Sequence, residues 1–416
     1  MKPSSGWLEA RWRVAGFLAL AAALNYADRA AMASVLLPLQ AEFSLTDEQL
    51  GMLGLVFLWS YAFGSPFAGT LADRWPRNRM VILSLALWSA VTVLTGVASG
   101  LVALLILRCA LGLAESLYLP AATALLAEHH GPDTRGRAMS VHSVGLNFGV
   151  VLGGTFAGYL ADHFGWRSGF WVLGIGGLVL ALSARRLLGV APTAKPDRAT
   201  PTRASVAEAW RYLAGVPSYH VLLVKAMLAG VGIWIFLNWL PLYLRNEFDM
   251  TLGAAGFAGT FMLQISTVLG IAAGGWISDR AAARGTRHRM LVQGLSYLAA
   301  APFLLLFLTR PGFAVVAIAV SAFSFFRGLG QANENPTLCE VMPARFRSTA
   351  IGLMNTGATA AGGLGVLLAG VLKRAVGLEV IFAVISLLFL VAGAGLLLAY
   401  QLWMPRDLER ASNFGL

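Results

Sequence analysis

The sequence predicts an all-α membrane protein of twelve transmembrane helices arranged as two pseudo-symmetric six-helix bundles. Three observations predict it. Of 416 residues, 57% are hydrophobic and only 12% are charged, far from the balance of a water-soluble domain. Apolar stretches of membrane-spanning length recur from one end of the chain to the other. One charged string also occurs twice, half a chain apart: Gly69-Thr-Leu-Ala-Asp73-Arg74-Trp-Pro-Arg77 and Gly275-Trp-Ile-Ser-Asp279-Arg280. Each copy joins one apolar segment to the next, which marks two related halves.

The twelve segments lie near 14–38, 49–72, 80–98, 101–127, 138–161, 168–188, 219–244, 252–278, 290–309, 312–339, 348–371 and 379–403. Segment 1 carries Asp28 and Arg29 near its middle and has no small-residue cleavage site after it. It reads as a retained helix, not a signal peptide. Residues 189–217 break the pattern with Pro192, Pro196, Pro201 and Pro217 among small and basic residues, as a cytoplasmic linker would. The expected plan is an N-terminal bundle over 1–188, a linker over 189–217 and a C-terminal bundle over 218–416. Within the linker, 206–213 is expected to lie on the membrane surface as a short helix. Smaller echoes support the repeat. Arg135-Gly-Arg137 opens segment 5 as Arg345-Phe-Arg347 opens segment 11. Gly145, Gly149, Gly153, Gly154 and Gly158 form a stripe with a looser counterpart in Gly352, Gly357, Gly362, Gly363 and Gly365. Such stripes let helices approach closely.

The net charge of +11 is distributed by topology. With the N-terminus inside, Arg11, Arg13, Arg74 to Arg79, Arg135, Arg137 and Arg280 to Arg289 are cytoplasmic, whereas only Arg167, Arg245, Arg310, Lys373 and Arg374 face the other side. This is the positive-inside bias; it places both termini in the cytoplasm, implies a bacterial inner membrane and excludes a nucleic-acid surface. Cys109 and Cys339 fall inside predicted helices, without disulfide or metal spacing. Neither a phosphate-binding loop nor a nucleophile–base set emerges. An enzyme is therefore not expected, no cofactor is implied, and an ion gradient is the expected energy source.

Chemistry is expected where ionisable residues lie deep in apolar segments, because each costs at least about 2.5 kcal/mol to place there. Six qualify: Asp28 and Arg29 in segment 1, Arg108 and Glu115 in segment 4, Arg327 and Glu334 in segment 10. Arg and Glu are seven residues apart in both of the latter segments, two helical turns, so each pair is expected on one face. Three carboxylates and three arginines would form a neutral network around a hollow shared by the two halves. A proton on Asp28 or Glu115 would free an arginine, and an arginine fork suits a solute carboxylate. Tyr26, Tyr61, Tyr118, Trp239 and Asn238 are further candidates to line that hollow. Lys225 lies early in segment 7 and is expected to snorkel; His142 is expected at the interface. Asp73, Arg74, Arg77, Asp279 and Arg280, at cytoplasmic segment ends, are expected to latch the conformation rather than bind solute.

At these residues the chain resembles the major facilitator superfamily. Gly69-x-Leu-Ala-Asp73-Arg74-x-x-Arg77 is similar to the superfamily's loop motif between its second and third helices, with Pro76 where glycine is usual. Asn25-Tyr-Ala-Asp28-Arg29, and Arg108 with Glu115 and Pro120, resemble the anion:cation symporter family, which includes carriers of sugar acids. The resemblance implies that Asp28 and Glu115 carry protons; Glu334 is a further candidate from its place in segment 10 alone. The resemblance also implies that Arg29 and Arg108 contact an anionic solute; Tyr26, Tyr118, Asn238 and Arg327 are further binding candidates from their place in the apolar segments alone. The same motifs resemble spinster-type carriers of lysophospholipids. Dicarboxylate-handling relatives carry an arginine in the middle of segment 7, where this chain has Ala229 and Gly230; Val150 stands where drug antiporters have proline.

The expected function is proton-coupled symport of a small organic anion by alternating access, by a monomer whose partners are solute, protons and membrane lipid. The alternatives are a spinster-like lipid carrier and, against the short ends of the chain, a sensor that binds solute without moving it.

Overall fold

The computed structural model describes residues 5–72, 75–188 and 206–413. Sixteen α-helices cover them: α1 (Ser5–Ser34), α2 (Leu36–Phe43), α3 (Asp47–Ala72), α4 (Arg77–Thr95), α5 (Leu101–Ser116), α6 (Tyr118–His129), α7 (Pro132–Phe164), α8 (Trp166–Leu187), α9 (Val206–Ala214), α10 (Pro217–Phe248), α11 (Leu252–Ala282), α12 (His288–Leu304), α13 (Phe313–Gln331), α14 (Glu334–Val341), α15 (Ala344–Leu402) and α16 (Met404–Asn413). The described residues contain no strand. Helices satisfy every backbone group internally, the condition a hydrocarbon layer imposes. Among the described residues, ten stretches are long and apolar enough to cross a membrane. One of them, α15, holds two of the predicted segments, and α1, made less apolar by Asp28 and Arg29, supplies the remaining one. The protein is thus an all-α membrane protein with the twelve-helix arrangement.

Three predicted segments are broken rather than straight, and one cause explains all three. Pro38, Pro120 and Pro336 are each the third residue of a new helix, α2, α6 and α14. A proline lacks the N–H that would bond the carbonyl four residues back and its ring collides with that carbonyl. Those carbonyls belong to Ser34, Ser116 and Ala332, where α1, α5 and α13 end or have just ended. Tight turns take up part of the slack, with Val35 N–H bonding the Met32 carbonyl at 3.2 Å and Asn333 N–H bonding Gly330 at 3.1 Å. Arg108 and Glu115 therefore lie on one unbroken helix. Arg327 and Glu334 do not, because Pro336 ends the segment between them.

The internal repeat survives in the backbone, at a register two residues from the one the match of Arg135-Gly-Arg137 with Arg345-Phe-Arg347 suggests. Gly165 (φ 82°, ψ 154°) joins α7 to α8, and Gly377 (φ 80°, ψ 161°) breaks α15. Only glycine adopts that conformation without strain. Arg135 donates to the carbonyls of Ala127 and His130, both at 3.4 Å; Arg347 donates to Cys339 at 2.8 Å and Met342 at 2.9 Å. Each arginine caps the helix eight and five residues behind it. Arg135 thus corresponds to Arg347, not Arg345, at the same offset that relates Gly165 to Gly377, Gly145 to Gly357 and Gly153 to Gly365.

The described residues group into two compact units, one drawn from Met1–Pro196 and Leu237–Thr260, the other from Asp197–Phe236 and Phe261–Leu416. In the first, α1 packs on α7, α3 on α5 and α4 on α8. Gly145, Gly149 and Gly153 of α7 meet the backbone carbonyls of Ala19, Ala23 and Ala27 on α1, and a Cβ at any of them would strike the carbonyl oxygen. Contact this close is what the stripe provides, and it seats α1 just before Asp28 and Arg29. Ser34, at the end of α1, donates to the Gly154 carbonyl at 2.8 Å. Asp162 near the end of α7 accepts the N–H groups of Leu252 (3.0 Å) and Gly253 (2.9 Å), capping α11.

In the second unit an aromatic core stacks Phe236 on Phe382 and Tyr297 on Phe389. Helix α9 packs one face into protein and leaves Trp210 exposed. Ala209, Tyr212 and Leu213 are buried, with Tyr212 stacked on Phe346. Asp407 of α16 accepts the Ser218 N–H at 2.9 Å at the start of α10. The apolar side chains α9 presents are what draw it into protein. Residues 189–205 of the predicted linker lie outside the described residues, as do Asp73 and Arg74. Side chains such as Phe67, Ile106 and Leu182 are exposed, as lipid-facing residues are.

Candidate functional site

Four charged residues converge in the first unit. Arg29 Nε donates to Glu115 Oε2 at 2.6 Å, and its NH2 donates to Asn25 Oδ1 at 3.2 Å. Asn25 and Arg29 are four apart, hence neighbours on one helical face. The guanidinium carbon sits 4.6 Å from the Tyr26 ring centre, 4.5 Å from Tyr61 and 5.3 Å from Phe57. This aromatic cage holds the cation through the negative ring faces.

Asp28 is buried, and the Thr92 hydroxyl on α4 lies 2.8 Å from its Oδ2. The same hydroxyl is 2.9 Å from the Trp88 carbonyl, and with one hydrogen it can donate to only one of them fully. Asp28 Oδ1 is buried without a partner. Arg108, 4% exposed, lies 5.8 Å from the Phe57 ring, and its NH2 has no hydrogen-bond partner. Among the described residues no carboxylate lies within 4.0 Å of it, although Asp28 and Glu115 both act on it through space. The site therefore holds one ion pair, one carboxylate bound by a hydroxyl and one guanidinium without a counter-ion. In an apolar interior that arrangement invites protons and anions.

Other predicted residues fall elsewhere. Tyr118 offers no free hydroxyl: it is buried, donates to the Leu18 carbonyl at 2.6 Å and lies 3.1 Å from His142 Nε2. His142 is buried in protein. Asn238 is half-buried on α10, within the stretch that groups with the first unit. Arg327 and Glu334 belong to the second unit, and Glu334 pairs with Lys225 at 3.1 Å. Lys225 does not snorkel; it is 1% exposed. It adds a fourth interior cation, so the predicted neutral set of three and three is not what this chain contains.

The loop strings are bound locally. Arg77 pairs with Glu128. Asp279 pairs with Arg289 at 3.2 Å, which also bonds Ser278 at 2.8 Å and Glu340 at 3.1 Å. Arg280 stacks over Trp276 at 3.4 Å. Sequence reasoning missed Thr92, one hydroxyl among several in an apolar segment, and Phe57, which looked like any lipid-facing aromatic. Cys109 and Cys339 are free thiols.

A helical membrane protein with ion pairs and a guanidinium lacking a directly bonded counter-ion inside its apolar segments is built to handle ions or polar solutes rather than to span passively. The chain belongs to the Major Facilitator Superfamily, whose profile it matches over residues 18–365. It is similar to the chloroplastic sodium-dependent phosphate transport protein 1 of Arabidopsis thaliana, 28% identical over 377 residues, covering 85% of this chain and 72% of that one. It is also similar to the chloroplastic ascorbate transporter of Arabidopsis thaliana, 25% identical over 383 residues, covering 88% and 70%. Its fold is shared with the crystal structure of a bacterial homologue of the human lysosomal transporter Spinster, in an inward-facing, occupied conformation. That match has a TM-score of 0.77 at 21% identity, covering 97% of this chain and 99% of the other.

Proposed function

We propose that this protein is a secondary transporter that moves a small organic anion together with protons by alternating access, as a monomer in a bacterial inner membrane with both termini cytoplasmic. The observation that carries the reading is the buried Arg108 guanidinium without a counter-ion beside an Arg29–Glu115 pair. A solute carboxylate supplies the missing charge in the bidentate geometry an arginine favours. Relatives named for phosphate and for ascorbate transport support an anionic solute.

Arg29 and Arg108 contact the solute, with Tyr26 shaping the site; Asp28 and Glu115 carry the protons. The shared hydroxyl of Thr92 supports Asp28 in that role. A protonated Asp28 donates to Thr92, which then donates to the Trp88 carbonyl, and every hydrogen has an acceptor. Protonation of Glu115 releases Arg29 for the solute. Energy comes from the proton gradient, and the Asp279 and Arg77 strings act on the conformational cycle rather than on solute.

Proteoliposomes test the reading. Uptake of labelled gluconate or glucarate is expected to rise when an inward proton gradient is imposed, and to be lost in Arg108→Met. Uptake that ignores the gradient, or that persists in the combined Asp28→Asn and Glu115→Gln variant, defeats proton coupling at these residues. Transport of lysophosphatidylcholine in place of sugar acids would favour the lipid-carrier alternative.

A further inference from the structure

Lys225 occupies an otherwise apolar turn of α10 and is almost fully buried. Its Nζ makes an ion pair with Glu334 Oε1 at 3.1 Å but no hydrogen bond, and the ring of Tyr297 on α12 lies 5.4 Å away. Arg327 on α13 is also buried in this unit. Its NH1 and NH2 donate to neutral partners, Gln331 at 3.0 Å and Thr267 at 2.7 Å, while Nε is buried with no partner. Among the described residues no carboxylate lies within 4.0 Å of Arg327. This unit thus buries two cations, of which only Lys225 has a carboxylate at ion-pair distance, and one positive charge is left over where such charge is costly.

Access separates the members of the cluster. The Glu334 side chain is 26% exposed against 1% for Lys225. Glu334 is also the first residue of the eight-residue α14, beside the break imposed by Pro336, so its carboxylate can turn away without unwinding a long helix. Unsatisfied polar atoms lie on the same faces. Both amide atoms of Gln293, one turn before Tyr297, and the hydroxyl of Ser324, one turn before Arg327, are buried without partners. Buried polar groups in that state call for a missing ligand or water.

We propose that Lys225 and Arg327 form a carboxylate-binding site of the second unit, with Glu334 as its displaceable resident counter-ion. The proposal deepens the anion-transport reading and rests on it for the class of ligand. A solute carboxylate that takes the place of Glu334 pairs with Lys225 as the glutamate now does, and the unpartnered Nε of Arg327 is the second donor the unit offers.

Chemical rescue tests it, with acetate and malonate as probes and thermal unfolding of the full-length purified protein as the readout. Glu334→Ala is expected to melt lower than the parent and to be restored by acetate. The half-effect concentration should lie about tenfold or more below the parent's, since a ligand bound only to the folded state stabilises by mass action. The combined Glu334→Ala and Lys225→Met variant should lose that response. If Glu334→Ala does not fold, Glu334→Gln serves, because it removes the charge while keeping the shape. An acetate response equal to that of the parent, or one that survives loss of Lys225, overturns the site. Arg108→Met separates this from the parent reading. A rescue that persists while Arg108→Met leaves sugar-acid uptake intact would sink the first-unit solute site and leave this one standing; a failed rescue with uptake lost in Arg108→Met would do the reverse.

Discussion

Arg29 Nε and Glu115 Oε2 meet at 2.6 Å, tying α1 to α5, with the Glu115 side chain fully buried. Such a pair holds two helices together only while both members are present. Removing Glu115 alone leaves a caged cation without its counter-ion. Glu115→Leu is therefore expected to lower unfolding stability by roughly 3–5 kcal/mol, and Arg29→Met with Glu115→Leu together to recover most of the loss. Denaturant unfolding in detergent measures both. A double variant no better than the single one would mean that the pair does not bind the helices.

The contact between α7 and α1 makes a sharper steric prediction. A methyl at Gly149 would meet the backbone carbonyl of Ala23, which no side-chain rotation can move aside. Gly149→Ala should cost about 1–3 kcal/mol, the usual penalty for overpacking. Gly136 lies on the same helix with open space around it, so Gly136→Ala should instead stabilise by about 0.5–1 kcal/mol through backbone entropy. Opposite signs on one helix are what melting curves should show.

Asp162 caps α11 from a neighbouring helix, its two oxygens accepting from Leu252 and Gly253. Asp162→Ala should lower stability by about 0.5–2 kcal/mol, and Asp162→Asn by less, since an amide oxygen still caps. Hydrogen exchange at the first turn of α11 should quicken in the alanine variant, and unchanged protection there would refute the cap.

Glu42, outside the apolar segments, sets a pH dependence. Hydrogen bonds from Arg167 and Trp166 hold its carboxyl below the ordinary carboxylate value of 4.5. A carboxyl whose folded value is depressed stabilises fully above its unfolded value and loses that contribution as pH falls through the folded one. Because both partners are about one-third exposed, the contribution should be at most about 1 kcal/mol. The melting temperature should therefore drop below pH 4.5, and drop less in Glu42→Gln.

Much of the first-unit site was legible because its residues are conspicuous. A charge in an apolar segment stands out in a bare sequence, so Asp28, Arg29, Arg108 and Glu115 could be named together, and the unbroken α5 kept the last two on one face. The same spacing misled at Arg327 and Glu334, where Pro336 breaks the segment. That proline was as visible as Pro120, but which side of a break a side chain faces depends on how the broken ends repack. Lys225 was visible too. Its length allowed a path to the interface, and only the packing of α10 against Tyr297 and Glu334 closed it.

Composition and segment length determined that this chain is a bundle of membrane helices, because a hydrocarbon layer leaves a long apolar segment no other way to satisfy its backbone. Two copies of a charged string likewise established the repeat, since chain order is enough to reveal a duplication. Pairing was decided elsewhere. Which carboxylate meets which cation, that Thr92 reaches Asp28, that Arg135 matches Arg347, and that an unpaired charge remains in each unit depend on distances of a few ångströms between helices remote in sequence. Those distances come from close packing, glycine against carbonyl and ring against ring, where a single methyl group changes what touches what.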